Sequence, residues 1–372
     1  MKTISKRISK LYFITIFVIL FALSVSILFF AKESHKDRFQ ELRRYVIDDF
    51  QKSLAYENAD LLSFSLALSE DGALKNAITS DSEQDAYEIL SGIAKRFKEY
   101  THIKTLRLQV FDNDFFIFAQ SWGNASVGLP MWWFRDDLEK LKHNKRPKVG
   151  IETGRMLTFK ATIPIRNGQE YIGYLEVIKF VDEFAQKFHQ QGIELFALME
   201  TQFLKQASLM QEFPFLGQYV IANKNFNQKL KVKADEINWS ELESVGYYYD
   251  DKILYLLEPM YNGERQEIGK YLIVLPPEAV AYYQKRHQNV SLLTRLRDKD
   301  IYSVVKLWEN PLGSYKNDKD KTLIEWLPKL RKEDRIALEK EAKAMLEKYS
   351  RDELVDIILE SRHKEKKIGA IE

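Results

Sequence analysis

The side chains best placed for chemistry fall on one parity of a set of alternating strands. "TLRLQVFD" from Thr105, "FFIFAQSW" from Phe115 and "RMLTFKATIPI" from Arg155 alternate in hydrophobicity, the period of half-buried strands. One parity reads Leu106, Leu108, Val110, Ile117, Ala119, Leu157, Phe159, Ala161 and Ile163, all apolar. The other reads Arg107, Gln109, Gln120, Trp122, Thr158, Lys160 and Thr162, and Tyr174 and Glu176 of "EYIGYLEVIKF" are assigned to it. Cations, amides, hydroxyls and an aromatic on one sheet face can line a small polar pocket; the alternative is an ordinary half-exposed face. The irregular passage "GNASVGLPMWWFRDDLEKLKHNKRPKVG" favours the pocket. Its Trp132, Trp133, Phe134 and Arg135 would make an odd cover for open solvent.

Within this neighbourhood Arg107, Arg135, Arg155 and Lys160 outnumber Glu152 and Glu176. Arginine grips a carboxylate with two parallel hydrogen bonds and lysine adds a point charge. The expected ligand is a small anion, with a carboxylate favoured. The candidate set is Arg107, Gln109, Gln120, Trp122, Trp133, Arg135, Glu152, Arg155, Lys160, Thr162, Tyr174 and Glu176. Two alternatives stand beside it: Glu152 and Arg155 as an ion pair bracing a turn, and Trp122 as plain core.

Nothing else in the sequence suggests catalysis or a cofactor. The six histidines (His35, His102, His143, His189, His287, His363) have no histidine partner at helical spacing, and there is no cysteine. That leaves no expected metal site, disulfide or thiolate. Phosphate-binding loops, dinucleotide glycine motifs, and kinase or cyclase signatures are not found. The 56 basic and 54 acidic residues nearly cancel, so the totals carry no nucleic-acid footprint. The expectation is a binding protein rather than an enzyme.

The strands must be positioned by what precedes them. Lys2, Lys6, Arg7 and Lys10 lead into "LYFITIFVILFALSVSILFF", residues 11–30, a run without charge. As a helix rising about 1.5 Å per residue it would span roughly 30 Å of hydrocarbon. A cleaved signal peptide, the alternative, ends on small residues, and "FFAKESHK" offers no such exit. An uncleaved transmembrane anchor is expected. Lys32, Lys36, Arg38, Arg43 and Arg44 balance the basic tail, so the positive-inside count is a draw. The dense packing of charge in residues 1–10 favours a cytoplasmic tail, placing the bulk in the periplasm beside the inner membrane; an inward-facing chain is the alternative. Phe39, Leu42, Val46, Phe50, Leu54, Leu61, Phe64 and Leu68 then form one stripe on a stalk helix from Ala31 to Glu70. A second helix is expected from Ser82 to Tyr100.

A repeat organises the remainder. "IPIRNGQEYIGYLEVI" from Ile163 and "EPMYNGERQEIGKYLIV" from Glu258 share a proline, an Asn-Gly and an Ile-Gly. Asn-Gly between alternating runs is a strong hairpin signal. The fold class expected is α+β: two tandem antiparallel-sheet modules, the second shorter, each ending in a similar hairpin.

This order of elements resembles the double Cache sensor regions of bacterial membrane receptors, most of all the type 3 family. The resemblance rests on "FAQSWGNASVGLPMWWFR" (118–135), "VGIETGRMLTFKATIPI" (149–165) and "YIGYLEVI" (171–178), and spans about residues 35–280. It implies PAS-like modules, a ligand in the first of them and a signalling role. Such sequences often carry arginine where Gln120 and Lys160 stand here, so the resemblance does not carry a ligand identity over to this chain. A scaffolding envelope protein that keeps the fold without a ligand is the alternative function. The expected plan is a tail (1–10), an anchor (11–30), the stalk with a membrane-distal module (31–190), a membrane-proximal module (191–284) and a charged helical tail (285–372). In that tail Leu338, Ala342, Met345 and Tyr349 form a stripe, and Ser350 with Glu353 forms a capping box. Trp308 and Trp326 suggest a packed unit or a docking surface. No second apolar span follows residue 280. The expectation is a sensor without its own output domain, signalling through a homodimer of stalks or an unidentified partner.

Overall fold

The computed structural model describes residues 2–101, 103–132, 135, 137–286, 301, 315, 318–327, 332–351, 353–355 and 357–358. The chain divides into two compact units, Ile47–Leu242 with Ile253–Ala279, and Met1–Val46 with Glu243–Lys252 and Val280–Glu372.

Helix α1 (Lys2–Ser69) contains the expected stalk. Phe50, Leu61 and Leu68 of its stripe are buried, and Glu57 is buried among them. Helix α2 (Gly72–Thr79) was not anticipated: Asp71-Gly72 ends α1, but Asp71 also accepts from the Leu74 N–H and so starts the next helix. Helix α3 (Glu83–Tyr100) begins where expected, capped by Ser82.

The first sheet consists of β1 (Arg107–Phe111), β2 (Ile117–Gln120), β3 (Lys148–Glu152), β4 (Thr158–Asn167) and β5 (Glu170–Phe180), with α4 (Asp137–Asn144) between β2 and β3. Its order is β2-β1-β5-β4-β3, with every neighbour antiparallel. After α5 (Val181–His189) come β6 (Glu194–Glu200), 3₁₀ turns at Thr201–Lys205 and Ser208–Met210, β7 (Phe215–Leu216), β8 (Tyr219–Ile221), α6 (Gln228–Asp235) and α7 (Trp239–Val245). Next are β9 (Tyr247–Asp250), β10 (Ile253–Tyr261), β11 (Glu267–Leu275) and α8 (Pro277–Arg286). The second sheet's strands within the same unit run β7-β8-β6-β11-β10. The run β2-β1-β5-β4 in the first sheet corresponds to β8-β6-β11-β10 in the second, so the tandem reading holds at the level of topology.

The repeated motif has a physical basis in both copies. An added Cβ on Gly173 would lie 2.4 Å from the Phe111 carbonyl oxygen, and one on Gly269 only 1.9 Å from that of Leu198. Each glycine lets its hairpin approach the neighbouring strand more closely than a side chain allows. Both hairpins are bulged two residues past the proline, at Ile165/Arg166 and Met260/Tyr261. The turns differ. Gly168 takes φ 62° and closes a tight hairpin, whereas in the second copy Asn262 Oδ1 accepts from the Glu264 and Gln266 N–H groups and the positive φ falls on Arg265. Gly263 lies instead against β3: its N–H donates to Glu152 Oε1 at 3.0 Å, and its backbone passes Gly150.

In the other unit, Phe39 packs edge-on to Tyr247 at 5.1 Å, and the Arg43 guanidinium lies over the same ring. Helices α9 (Asp318–Trp326) and α10 (Lys332–Leu346) belong here. Tyr315, Met345, Tyr349 and Ile357 form an apolar cluster, and the capping box is present: Ser350 N–H donates to Glu353 Oε2, and Glu353 N–H to Ser350 Oγ. Trp308 lies outside the described residues.

Among the described residues no helix is long and apolar enough to cross a membrane; the anchor expected over residues 11–30 gains no support from the fold. The side chains of Ile16 to Phe21 on α1 are exposed.

Candidate functional site

Strand register builds the site. Gln109 of β1 stands opposite both Gln120 of β2 and Glu176 of β5, and Glu176 opposite Thr162 of β4. These four side chains form a hydrogen-bonded row across the sheet. Gln120 Nε2 donates to Gln109 Oε1 (2.9 Å), Gln109 Nε2 to Glu176 Oε1 (2.6 Å) and Thr162 Oγ1 to Glu176 Oε2 (2.9 Å). Arg135, from the passage before α4, completes the row by donating Nη1 to Glu176 Oε2 at 2.7 Å. Its Nε and Nη2 take the two oxygens of Asp137 at 2.7 and 2.9 Å. Burial pulls the Arg135 guanidinium down, but Glu176 and Asp137 outweigh it and leave its pKa above the ordinary value. Burial likewise pushes the Asp137 carboxyl up, and Arg135 and Lys148 overcome this and hold it well below the carboxylate range.

The next row is different. Arg107 of β1 and Lys160 of β4 flank Ile178 of β5 in register. The Arg107 guanidinium lies over Trp122 (5.1 Å) and Phe180 (5.0 Å), and burial lowers its pKa. Lys160 is 6% exposed; its Nζ donates to the carbonyls of Thr153 (2.9 Å) and Glu152 (3.5 Å). An added Cβ on Gly154 would lie 2.7 Å from that nitrogen, so only glycine leaves the ammonium its place. Burial, reinforced by Arg135, pulls the Lys160 pKa down to about 8. Beyond Lys160 on the same strand, the buried Thr158 Oγ1 has no hydrogen-bond partner.

Over these rows lies a cavity of about 440 Å³, within the range of small-molecule sites. Its floor is Arg107, Gln109, Gln120, Thr158, Lys160, Glu176, Ile178 and Phe180; its walls include Trp122, Ser126, Leu129, Met131, Arg135 and Arg155, with Ser208 and Leu209 from beyond β6. The Leu209 N–H donates to the Arg155 carbonyl at 3.1 Å, and Thr153 Oγ1 to Gln206 Oε1 at 3.0 Å, which fixes this far segment over the mouth.

Residues 44–196 match the family model described as the double sensory domain of two-component sensor kinases. Over that stretch the chain is similar to a double Cache sensor domain. Similar solved structures include the sensory domain of the Campylobacter jejuni chemoreceptor Tlp3 with isoleucine bound, at 13% identity, 68% of this chain, 98% of that chain and TM-score 0.41. Another is the V. cholerae histidine kinase DctB sensor domain, at 12% identity, 66% of this chain, 96% of that chain and TM-score 0.35. No curated protein sequence matches.

The cavity brings together eight of the candidate residues: Arg107, Gln109, Gln120, Trp122, Arg135, Arg155, Lys160 and Glu176. Thr162 stands behind the lining, holding Glu176. Glu152 turns away to Lys148 (3.0 Å) and the Gly263 N–H, so the alternative of a Glu152–Arg155 turn pair is not realised. Tyr174 is on the expected face but at its far end, stacked on Phe115 in a cluster with Phe111, Ile117, Leu138 and Leu141. Helix α4 covers that end, and burial raises the phenol's pKa. Trp133 lies outside the described residues. Ile117, assigned to the opposite parity, lines the cavity because a bulge pairs it with Phe111. Thr158, Ile178 and Phe180 were legible as parity partners of Lys160 and Glu176, whereas Ser208 and Leu209 carried no local signal. Among the described residues no cluster of His, Asp and Glu could hold a metal.

Proposed function

We propose that the chain is a membrane-anchored sensor whose first Cache module binds a small anionic ligand, a carboxylate being the favoured class. One observation carries the reading. Among the described residues Arg107, Arg155 and Lys160 have no carboxylate within ion-pair distance, whereas Glu176, the only carboxylate lining the cavity, is already held by Arg135, Gln109 and Thr162. The lining therefore has surplus positive charge, kept partly out of water, where an anion gains more from each contact than it would at an open surface. Titration calorimetry on the full chain in detergent, with a panel of small carboxylates and amino acids, tests it. An anion should bind, and Lys160→Met should weaken it at least tenfold. If no anion binds, or if the variant binds as the parent does, the reading fails.

The anchoring half of the proposal rests on the uncharged run at residues 11–30 of the sequence. With the basic tail inside, both modules lie in the periplasm. A phosphatase fused after Glu372 should be active; an active cytoplasmic reporter there, with an inactive phosphatase, would reverse the assignment.

A further inference from the structure

We infer that the ligand is a short dicarboxylate lacking an ammonium group; this rests on the anion-site reading above and sharpens it. Three features of the cavity point to it.

The first is charge balance. Arg135 is neutralised by Glu176 and Asp137, which leaves Arg107, Lys160 and Arg155 to be matched by whatever enters. A single carboxylate compensates only one of them.

The second is spacing. Arg107 and Lys160 are one strand removed from each other across Ile178. Their backbones are therefore about 10 Å apart, twice the strand separation, and their side chains rise from the same face. Two cations set apart across an apolar floor suit two charges separated by a short carbon chain better than one compact dianion. Ile178 supplies the surface for that chain. The Lys160 end carries a further donor, because the buried hydroxyl of Thr158 beside it has no partner. Carboxylate at that end would accept from Lys160 Nζ and Thr158 Oγ1 together. At the other end Arg107 is held against Trp122 and Phe180, with Arg155 exposed at the mouth.

The third is what the cavity denies. A zwitterionic amino acid needs an acceptor for its ammonium, and a carboxylate is the one that offsets the charge. Both oxygens of Glu176 are engaged, Oε1 by Gln109 and Oε2 by Arg135 and Thr162. An ammonium placed here would sit beside Arg107, Arg135 and Lys160. Glu176, whose charge Arg135 already offsets, has one lone pair left on Oε1 to give it, so the burial is costly.

Matched triads test this on the full chain in detergent by calorimetry. Each dicarboxylate from malonate to adipate is compared with the monocarboxylate of equal length and the α-amino acid of the same skeleton, such as succinate, butyrate and aspartate. At least one dicarboxylate should bind tenfold or more tightly than both counterparts. Arg107→Met and Lys160→Met should each reduce its advantage over the monocarboxylate to threefold or less, a ratio that a general loss of folding would not produce. Equal or tighter binding of the amino acid or of the monocarboxylate overturns the dicarboxylate inference and leaves the anion site standing. If no anion of any triad binds, both fall.

Discussion

Replacing Arg135 by methionine is the sharpest perturbation of the first sheet's hydrogen-bonded row. The guanidinium is 2% exposed and makes charge-assisted contacts of 2.7 Å to Glu176 and of 2.7 and 2.9 Å to Asp137. Methionine fills much of the volume but removes all of the charge. Asp137 keeps Lys148 at 2.7 Å, so it is not abandoned. Glu176, fully buried, keeps only Gln109 and Thr162. Removing one partner of a buried pair costs about 3–5 kcal/mol because the other charge is left uncompensated. At about 2–4 °C per kcal/mol for a unit of this size, the melting temperature should fall by roughly 6–20 °C. Differential scanning calorimetry on the full chain reads this directly. The double variant Arg135→Met/Glu176→Gln, with the stranded charge removed, should recover at least about 1 kcal/mol of the loss, a coupling expected of residues in one network. A fall below about 2 °C, or additive effects of the two substitutions, would refute the claim that Arg135 neutralises Glu176.

Three further outcomes follow from the same geometry. Anion affinity should be full below pH 8 and weaken as pH rises through about 8, the depressed pKa of Lys160 in the empty site, by up to about tenfold per pH unit; titrations from pH 6.5 to 9.5 should show this, and Lys160→Arg should flatten the profile. Glu57 is buried between Lys179 and Lys187; burial pushes its carboxyl up, and the two ammoniums bring it below the ordinary value. Its contribution is therefore present above the unfolded pKa of about 4.3 and lost as pH falls through the folded value. Glu57→Gln should cost about 3–5 kcal/mol at pH 7, and the gap in denaturant midpoint from the parent should narrow between pH 5 and 3.5; a constant gap would contradict the assignment. Gly269→Ala and Gly173→Ala should each cost about 1–3 kcal/mol or more through overpacking, while Gly72→Ala, which meets no atom within 4 Å, should leave the melting temperature within about 1 °C; equal effects at the three sites would refute the close-approach reading.

What the sequence discloses and what it hides divide along the range of the interaction. The alternation in "EYIGYLEVIKF" locates β5 as Glu170–Phe180, and the spacing of Ser350 and Glu353 yields a hydrogen-bonded capping box, since both signals are local. The sheet face bearing Arg107, Gln109, Lys160 and Glu176 is likewise set by period-two geometry. The bulge that turns Ile117 into the cavity depends on pairing with Phe111, which no alternation encodes. Glu57 looks like an ordinary solvated position between Leu54 and Leu61 until Lys179 and Lys187 arrive from far along the chain. Above all, the residue list alone counts Glu176 as an available anion; only the register shows both its oxygens occupied. That changes the site from a mixed polar patch into one with unmatched positive charge.

The most direct test of that charge is a crystal structure of the sensor region grown with the tightest-binding carboxylate from the panel. Density for one carboxylate should lie within hydrogen-bond distance of Lys160 Nζ and Thr158 Oγ1, with the second facing Arg107, and Glu176 should keep its contacts to Gln109, Thr162 and Arg135. A ligand bound elsewhere, or one that displaces Arg135 from Glu176 to seat an ammonium there, would contradict the reading of this cavity as an anion site.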